Sequence, residues 1–183
     1  MSSRMVTRAE WPPRPDDVMS EDAFMQNAVA YAARHRLQLM ERLGFGIHGI
    51  IHVAGNKPDG GRTAVKAHRE REPYLREVAA YERLSEAGVS QILGFNVPQL
   101  IRADDELNVI EMTIVTRPFV LDFAGAYLDR RPDFPDEIWA EWESEKCDQF
   151  DYRWPTVQRV LAALEELDIH MVDVSPSNIA FAD

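Results

Sequence analysis

The feature that most constrains this chain is a set of three glycines with the spacing G-x-G-x-x-G, at Gly44, Gly46 and Gly49. Residues 50–54, which follow Gly49, are mostly apolar or β-branched. No helix start signal stands between the glycines and this run. A dinucleotide-binding loop opens a helix at this point, and a P-loop requires Gly-Lys-Ser/Thr after its last glycine. The glycines therefore predict the turn of a β-hairpin, with strands near residues 40–45 and 50–54.

A lysine and a glutamate follow the hairpin. Lys66 ends a short apolar run, Ala64-Val65-Lys66, that predicts a strand, in a chain with only three lysines. Glu77 lies within a helical pattern over residues 70–87, at the border of an apolar stripe. A strand lysine paired with a helix glutamate can hold a nucleotide phosphate. The alternatives are an edge-strand lysine that protects the sheet and a glutamate on a solvated helix face.

A second motif lies near the end of the sequence. Asp173 is followed five positions later by Asn178, with Pro176 between them, and residues 178–181 predict an apolar strand. Phosphoryl transfer uses a carboxylate that accepts a hydroxyl proton and an amide oxygen that holds Mg²⁺. The same D-V-S-P-S-N sequence is also compatible with an Asx/proline turn that joins a helix to a strand.

Taken together, the glycine hairpin, strand lysine, helix glutamate and Asp-to-Asn loop resemble the protein-kinase-like superfamily. The resemblance implies ATP and Mg²⁺ as cofactors. It implies Asp173 as the catalytic base and Asn178 as a metal ligand. The nucleotide-binding residues that it implies are Gly44, Gly46, Gly49, Ile51, Ala64, Lys66 and Glu77.

The resemblance also implies the fold class, which is α+β. An N-lobe of five antiparallel strands with one crossing helix is expected over residues 39–117, with a hinge for an adenine at 112–118. A minimal helical C-lobe is expected over 118–183. It would hold a short helix at 120–128, an acidic, aromatic surface helix within 129–153 and a helix from Trp154 onward. Residues 1–38 predict an irregular arm and a helix that packs on the sheet.

Several positions depart from the family pattern. Met171 and Val172 stand where the family has histidine and arginine, and Ser175 replaces a basic residue. No D-F-G follows Asn178, so the main Mg²⁺-binding aspartate of the family has no counterpart there. We therefore expect a pseudokinase-like regulatory module that binds nucleotide with weak or no phosphotransfer. The alternatives are a minimal ATP-dependent phosphotransferase acting on a protein or small-molecule hydroxyl, and an association module that binds no nucleotide.

Composition limits the partners. The formal net charge of −11 disfavours nucleic acid and anionic membranes as partners, and no apolar run is long enough to span a bilayer. The N-terminus lacks the apolar segment of a secretory signal, and the single Cys147 excludes an intramolecular disulfide. These features predict a cytoplasmic location. The shortened helical lobe leaves apolar faces for a protein partner or a second copy of the chain.

Overall fold

The computed structural model describes residues 21–55 and 61–182. The predicted N-terminal arm, most of the turn-rich segment between Gly55 and Gly61, and Asp183 lie outside these residues. The strands in chain order are β1 (Gln38–Gly46), β2 (Gly49–Gly55), β3 (Arg62–His68), β4 (Gln91–Ile92), β5 (Phe95–Asn96), β6 (Leu100–Asp104), β7 (Val109–Thr113), β8 (Phe119–Val120), β9 (Tyr127–Leu128), β10 (Ile169–His170) and β11 (Ile179–Ala180). The α-helices are α1 (Glu21–Arg34), α2 (Arg71–Glu86), α3 (Asp136–Phe150) and α4 (Trp154–Glu165).

Five of the strands form one antiparallel sheet in the order β1-β2-β3-β7-β6. Strands β1 and β2 are the predicted glycine hairpin, in which Gly46 pairs with Gly49. In the next pairs, Ile51 lies opposite Lys66, and Lys66 lies opposite Ile110. The predicted α+β class and the five-stranded antiparallel sheet are confirmed.

Strand β3 shows how the sheet is packed on both faces. Because side chains alternate along a strand, Val65 and Ala67 point to one face and Ala64, Lys66 and His68 to the other. The first face forms a buried cluster with Phe24, Ala28 and Tyr31 of α1. The second face meets α2, which contributes Tyr74, Val78 and Leu84 to the main core. The predicted packing of the N-terminal helix on the sheet is therefore confirmed, and α2 is the crossing helix.

A buried carboxylate joins α1 to the sheet. Glu111 of β7 is 2% exposed, and its Oε2 accepts a hydrogen bond from Tyr31 Oη at 2.9 Å. Thr63 Oγ1 donates to Glu111 Oε1 at 2.9 Å, and the Arg102 guanidinium lies 2.8 Å from Oε2. Because each partner satisfies part of a buried charge, this network fixes the position of α1 on the face away from α2.

The second half of the chain differs in one segment from the prediction. Residues 120–128, predicted as a short helix, instead contain the end of β8, a turn and β9. Val120 pairs with Ile179 of β11, and Asp122 has a positive φ of 66°, which is incompatible with an α-helix. The prediction was wrong because the conformation of this segment depends on pairing with a strand more than fifty residues away in the sequence. Local periodicity carries no information about such pairing.

The helices of this half agree with the sequence. Helix α4 begins at Trp154 with Pro155 in its first turn, and buries Val157, Val160 and Leu164 in the main core. The acidic residues of helix α3 are exposed. None of the helices in the described ranges is both long and apolar enough to cross a membrane.

Candidate functional site

A cleft of about 550 Å³ separates the five-stranded sheet from the loops of the second half. Its size is within the range of small-ligand sites. The sheet side includes the glycine hairpin and residues 112–115, where the adenine-binding hinge was predicted. The cleft residues that carry sequence predictions are Gly44, Gly46, Gly49, Ile51, Ala64, Lys66, Glu77, Asp173 and Asn178. The fold therefore brings all the predicted site residues to one cavity.

Lys66 and Glu77 form the predicted ion pair at the back of this cleft. Lys66 Nζ lies 2.6 Å from Glu77 Oε2, and the two side chains are 3% and 0% exposed. The edge-strand and solvated-face alternatives do not apply, because β3 is the central strand of the sheet and Glu77 is fully buried. Two unit charges in such a site interact far more strongly than they would at the surface.

A histidine completes this buried group. His68 follows Lys66 by two positions on β3, so it faces α2 as well, and its Nε2 lies 2.6 Å from Glu77 Oε2. A neutral imidazole donates through one nitrogen, and we assign the proton to Nε2 because of this short contact. Sequence analysis did not assign His68 to the site, although strand alternation relative to Lys66 was a usable signal.

The charges of the three groups follow from their contacts. Burial alone would raise the pKa of the Glu77 carboxyl, but Lys66 and His68 outweigh it and lower that pKa to about 2. Burial lowers the pKa of the Lys66 amine, yet Glu77 and Asp122 together raise it above its ordinary value. For His68, burial is the dominant effect and lowers the imidazole pKa. At neutral pH the group is thus an ammonium, a carboxylate and a neutral imidazole.

A second carboxylate reaches Lys66 from the segment that was predicted to be helical. Asp122 Oδ1 lies 2.7 Å from Lys66 Nζ, and the Asp122 side chain is 32% exposed, toward the cleft. Its position is set by two neighbours in the chain. Leu121 N donates to Asn178 O at 2.9 Å, and the Phe123 ring packs edge-on against Tyr81 of α2 at 5.2 Å.

Sequence analysis missed Asp122, because it predicted a helix over residues 120–128. The segment before Asp122 is instead held as strand β8, which pairs with β11 and with β5 and so brings Asp122 to the cleft.

The predicted loop is held together by its asparagine. Asn178 is 4% exposed, its Nδ2 donates to Asp173 O at 2.5 Å, and its Oδ1 accepts from Ser175 N at 2.7 Å. Asp173 is exposed and faces the cleft. The loop is also fixed from behind, because Trp142 Nε1 donates to Val172 O at 2.8 Å. The Asn-based turn is therefore present, and it presents the Asp173 carboxylate to the cleft.

Two polar atoms in the cleft wall have no hydrogen-bond partner among the described residues. They are Glu77 Oε1 and Tyr81 Oη, and both are buried. Buried polar groups are satisfied in most native proteins, so such atoms mark a place where a ligand or water completes the structure. In the same ranges, no group of three or more His, Cys, Asp or Glu residues is arranged to hold a metal ion.

The buried carboxylate makes stability depend on pH. An unfolded glutamate has a pKa of about 4.3, whereas that of Glu77 in the folded protein is about 2. Folding favours the ionised form, so this stabilisation is complete above about pH 5 and is lost as the pH falls toward 2. We expect urea unfolding at stepped pH to show a steeper loss of unfolding free energy for the wild type than for Glu77→Gln. Glu82→Gln, an exposed position on the same helix, should retain the wild-type slope; equal slopes for the wild type and Glu77→Gln would contradict the assignment.

No family model matches the sequence, and a search of curated proteins gives no match either.

Proposed function

We propose that the protein binds ATP with Mg²⁺ in the cleft and transfers the terminal phosphoryl group to a hydroxyl. The observation that carries this proposal is the position of Lys66, which contacts both Glu77 and Asp122 in a cavity that also contains Asp173. In phosphoryl transfer the protein supplies mainly positioning and charge neutralisation. Lys66 can neutralise phosphate charge, and the carboxylates of Asp122 and Asp173 can position the metal and the acceptor.

The residues of the cleft fit a nucleotide with its metal. The Lys66 ammonium would contact phosphate oxygens, and the backbone of the glycine hairpin can approach phosphates closely because it carries few side chains. Carboxylate and amide oxygens suit Mg²⁺, so Asp122 and Asn178 are the residues that would hold it. When bound, Mg²⁺ supplies neutralisation of the phosphate charge. The unpartnered Tyr81 Oη supports a polar ligand at this position.

The transfer step uses Asp173 as the base. The hydroxyl oxygen forms a bond to the γ-phosphorus while the bond from that phosphorus to the β–γ bridging oxygen breaks. The hydroxyl proton goes to the Asp173 carboxylate, and the products are ADP and a phosphate monoester. Asp173 is exposed in the cleft and held by Asn178, which suits an acceptor that approaches from solvent.

A second candidate is nucleotide binding without transfer, in a pseudokinase-like regulatory module. Two observations favour it. Asn178 Oδ1 already accepts the Ser175 N–H, so a metal ligand role must share that oxygen. Ser175 also provides no positive charge beside the transferred group, where the family has a basic residue. The two candidates use the same cleft and differ only in turnover.

The test separates binding from turnover. We expect Mg²⁺-ATP to raise the melting temperature of the wild type and of Asp173→Asn equally. We expect ATP turnover, measured as ADP release with and without added hydroxyl compounds, to fall about 100-fold or more in Asp173→Asn because the base is lost. Asp148→Asn, an exposed position on α3, should leave both unchanged. A melting temperature that Mg²⁺-ATP does not shift would exclude nucleotide binding, and a shift without turnover would select the regulatory module.

A further inference from the structure

The tip of the glycine hairpin is anchored rather than free. Arg69 N donates to His48 O at 3.0 Å, which ties the tip to the residue after β3. Gly49 has a φ of 153°, and a Cβ at this position would lie 2.0 Å from Ala67 O, so only glycine fits. The backbone of His48 and Gly49 is therefore held against β3 and the residue that follows it.

The His48 imidazole reaches into the cleft beside the loop of Asp173. Both residues line the cavity, and Gly125 lies close to both of them. A Cβ built on Gly125 would be 3.8 Å from His48 Nε2, 3.2 Å from Asp173 Cβ and 3.9 Å from Asp173 Oδ2. Because Gly125 has no side chain, the space next to the His48 imidazole and the Asp173 carboxylate stays open.

His48 has no assigned partner there. Its side chain is half-buried, and across residues 21–55 and 61–182 it takes part in no side-chain hydrogen bond or ion pair. His68, which is fully buried behind the cleft, is already in contact with Glu77. An imidazole that lines the cavity without a side-chain partner is free to bind a ligand.

We propose that His48 binds the terminal phosphate of the nucleotide and lets the protein distinguish a triphosphate from a diphosphate. This inference rests on the proposed function. The phosphate groups of the bound nucleotide would extend from Lys66 and Asp122 toward Asp173. The accepting hydroxyl would approach at the Asp173 end. The terminal phosphate must lie between these ends, and His48 is the imidazole next to Asp173. An N–H donor at this point offsets charge on the transferred group.

Binding measurements test the proposal without an acceptor substrate. Isothermal titration would compare Mg²⁺-AMPPNP, a triphosphate analogue that resists hydrolysis, with Mg²⁺-ADP. We expect the wild type to prefer AMPPNP, and His48→Ala to lose about tenfold of that preference while its affinity for ADP stays within twofold, because one charge-assisted hydrogen bond is removed. His48→Gln, which keeps a side-chain N–H, should retain part of the preference.

The control is His52→Asn. His52 lies on β2, contacts Met40 O through Nδ1 and does not line the cleft, so the preference should stay at the wild-type value. Addition of free imidazole should restore part of the AMPPNP preference to His48→Ala, which a purely structural role would not allow. A wild-type preference that persists in His48→Ala, or a wild type that binds both ligands equally, overturns this proposal alone. A wild type that binds neither ligand overturns the proposed function with it.

Discussion

Replacing Lys66 with methionine is expected to destabilise the protein by about 3 kcal/mol or more and to abolish nucleotide binding. Methionine keeps most of the length of the side chain but removes the charge, so the fully buried Glu77 carboxyl loses its cation and keeps only the contact with His68. Breaking a buried ion pair on one side costs more than removing both partners, because the remaining charge is uncompensated. For a chain of this size, this corresponds to a drop in melting temperature of roughly 6–12 °C.

A double-mutant cycle makes the prediction specific to the pair. Lys66→Met/Glu77→Leu should regain part of the stability that Lys66→Met loses, so the two single changes should be non-additive by about 1 kcal/mol or more in urea unfolding. Lys146→Met is the matched control, since this α3 lysine is also buried but pairs with the largely exposed Glu145, at 3.1 Å. We expect it to cost under about 1 kcal/mol, because such pairs contribute little. Additive effects at positions 66 and 77 would show that the pair does not stabilise the fold.

Loss of nucleotide binding in Lys66→Met has a separate measurement. The melting temperature of each variant is compared with and without Mg²⁺-ATP, so that the lower starting stability is taken into account. Lys146→Met should show the wild-type shift, and Lys66→Met should show none. A full shift in Lys66→Met would mean that the nucleotide binds elsewhere in the molecule.

The part of the site that could be predicted from sequence is the part formed by neighbours in the chain. The hairpin follows from its glycines and flanking apolar residues. Lys66 could be predicted because the chain has only three lysines and this one lies on a short apolar strand. Glu77 could be predicted because it borders the apolar stripe of the next helix. The sheet then brings Lys66 and Glu77 together because β3 leads directly into α2. Short-range patterns are sufficient for this contact.

Asp122 could not be predicted in the same way, because its position depends on pairing between distant strands. Val120 pairs with Ile179, and Leu121 N donates to Asn178 O, so the segment before Asp122 is aligned by the strand after Asn178. Local periodicity in residues 120–128 gives a helix instead. The expectation that a further metal-binding aspartate is absent came from the residues that follow Asn178, and chain order does not determine which residues share a cleft.

Replacing Asp122 with asparagine is expected to remove the effect of Mg²⁺ on nucleotide binding and to lower any ATP turnover by about 100- to 1,000-fold. The shape of the side chain and the positive φ of 66° are retained, since asparagine tolerates this backbone conformation. What changes is the charge: a neutral amide oxygen is a weaker ligand for Mg²⁺ than a carboxylate. Lys66 keeps its bond to Glu77, so the fold should lose little stability.

The measurement is the affinity for AMPPNP, by isothermal titration, over a series of Mg²⁺ concentrations. In the wild type the affinity should rise with Mg²⁺, and in Asp122→Asn it should stay nearly constant. Asp129→Asn is a close control, because Asp129 also has a positive φ, of 70°, and also forms an ion pair, with Arg83, but is 78% exposed and outside the cleft. It should keep the Mg²⁺ dependence of the wild type. If Asp122→Asn retains that dependence too, the metal is held by other groups, and Asp122 is not a metal ligand.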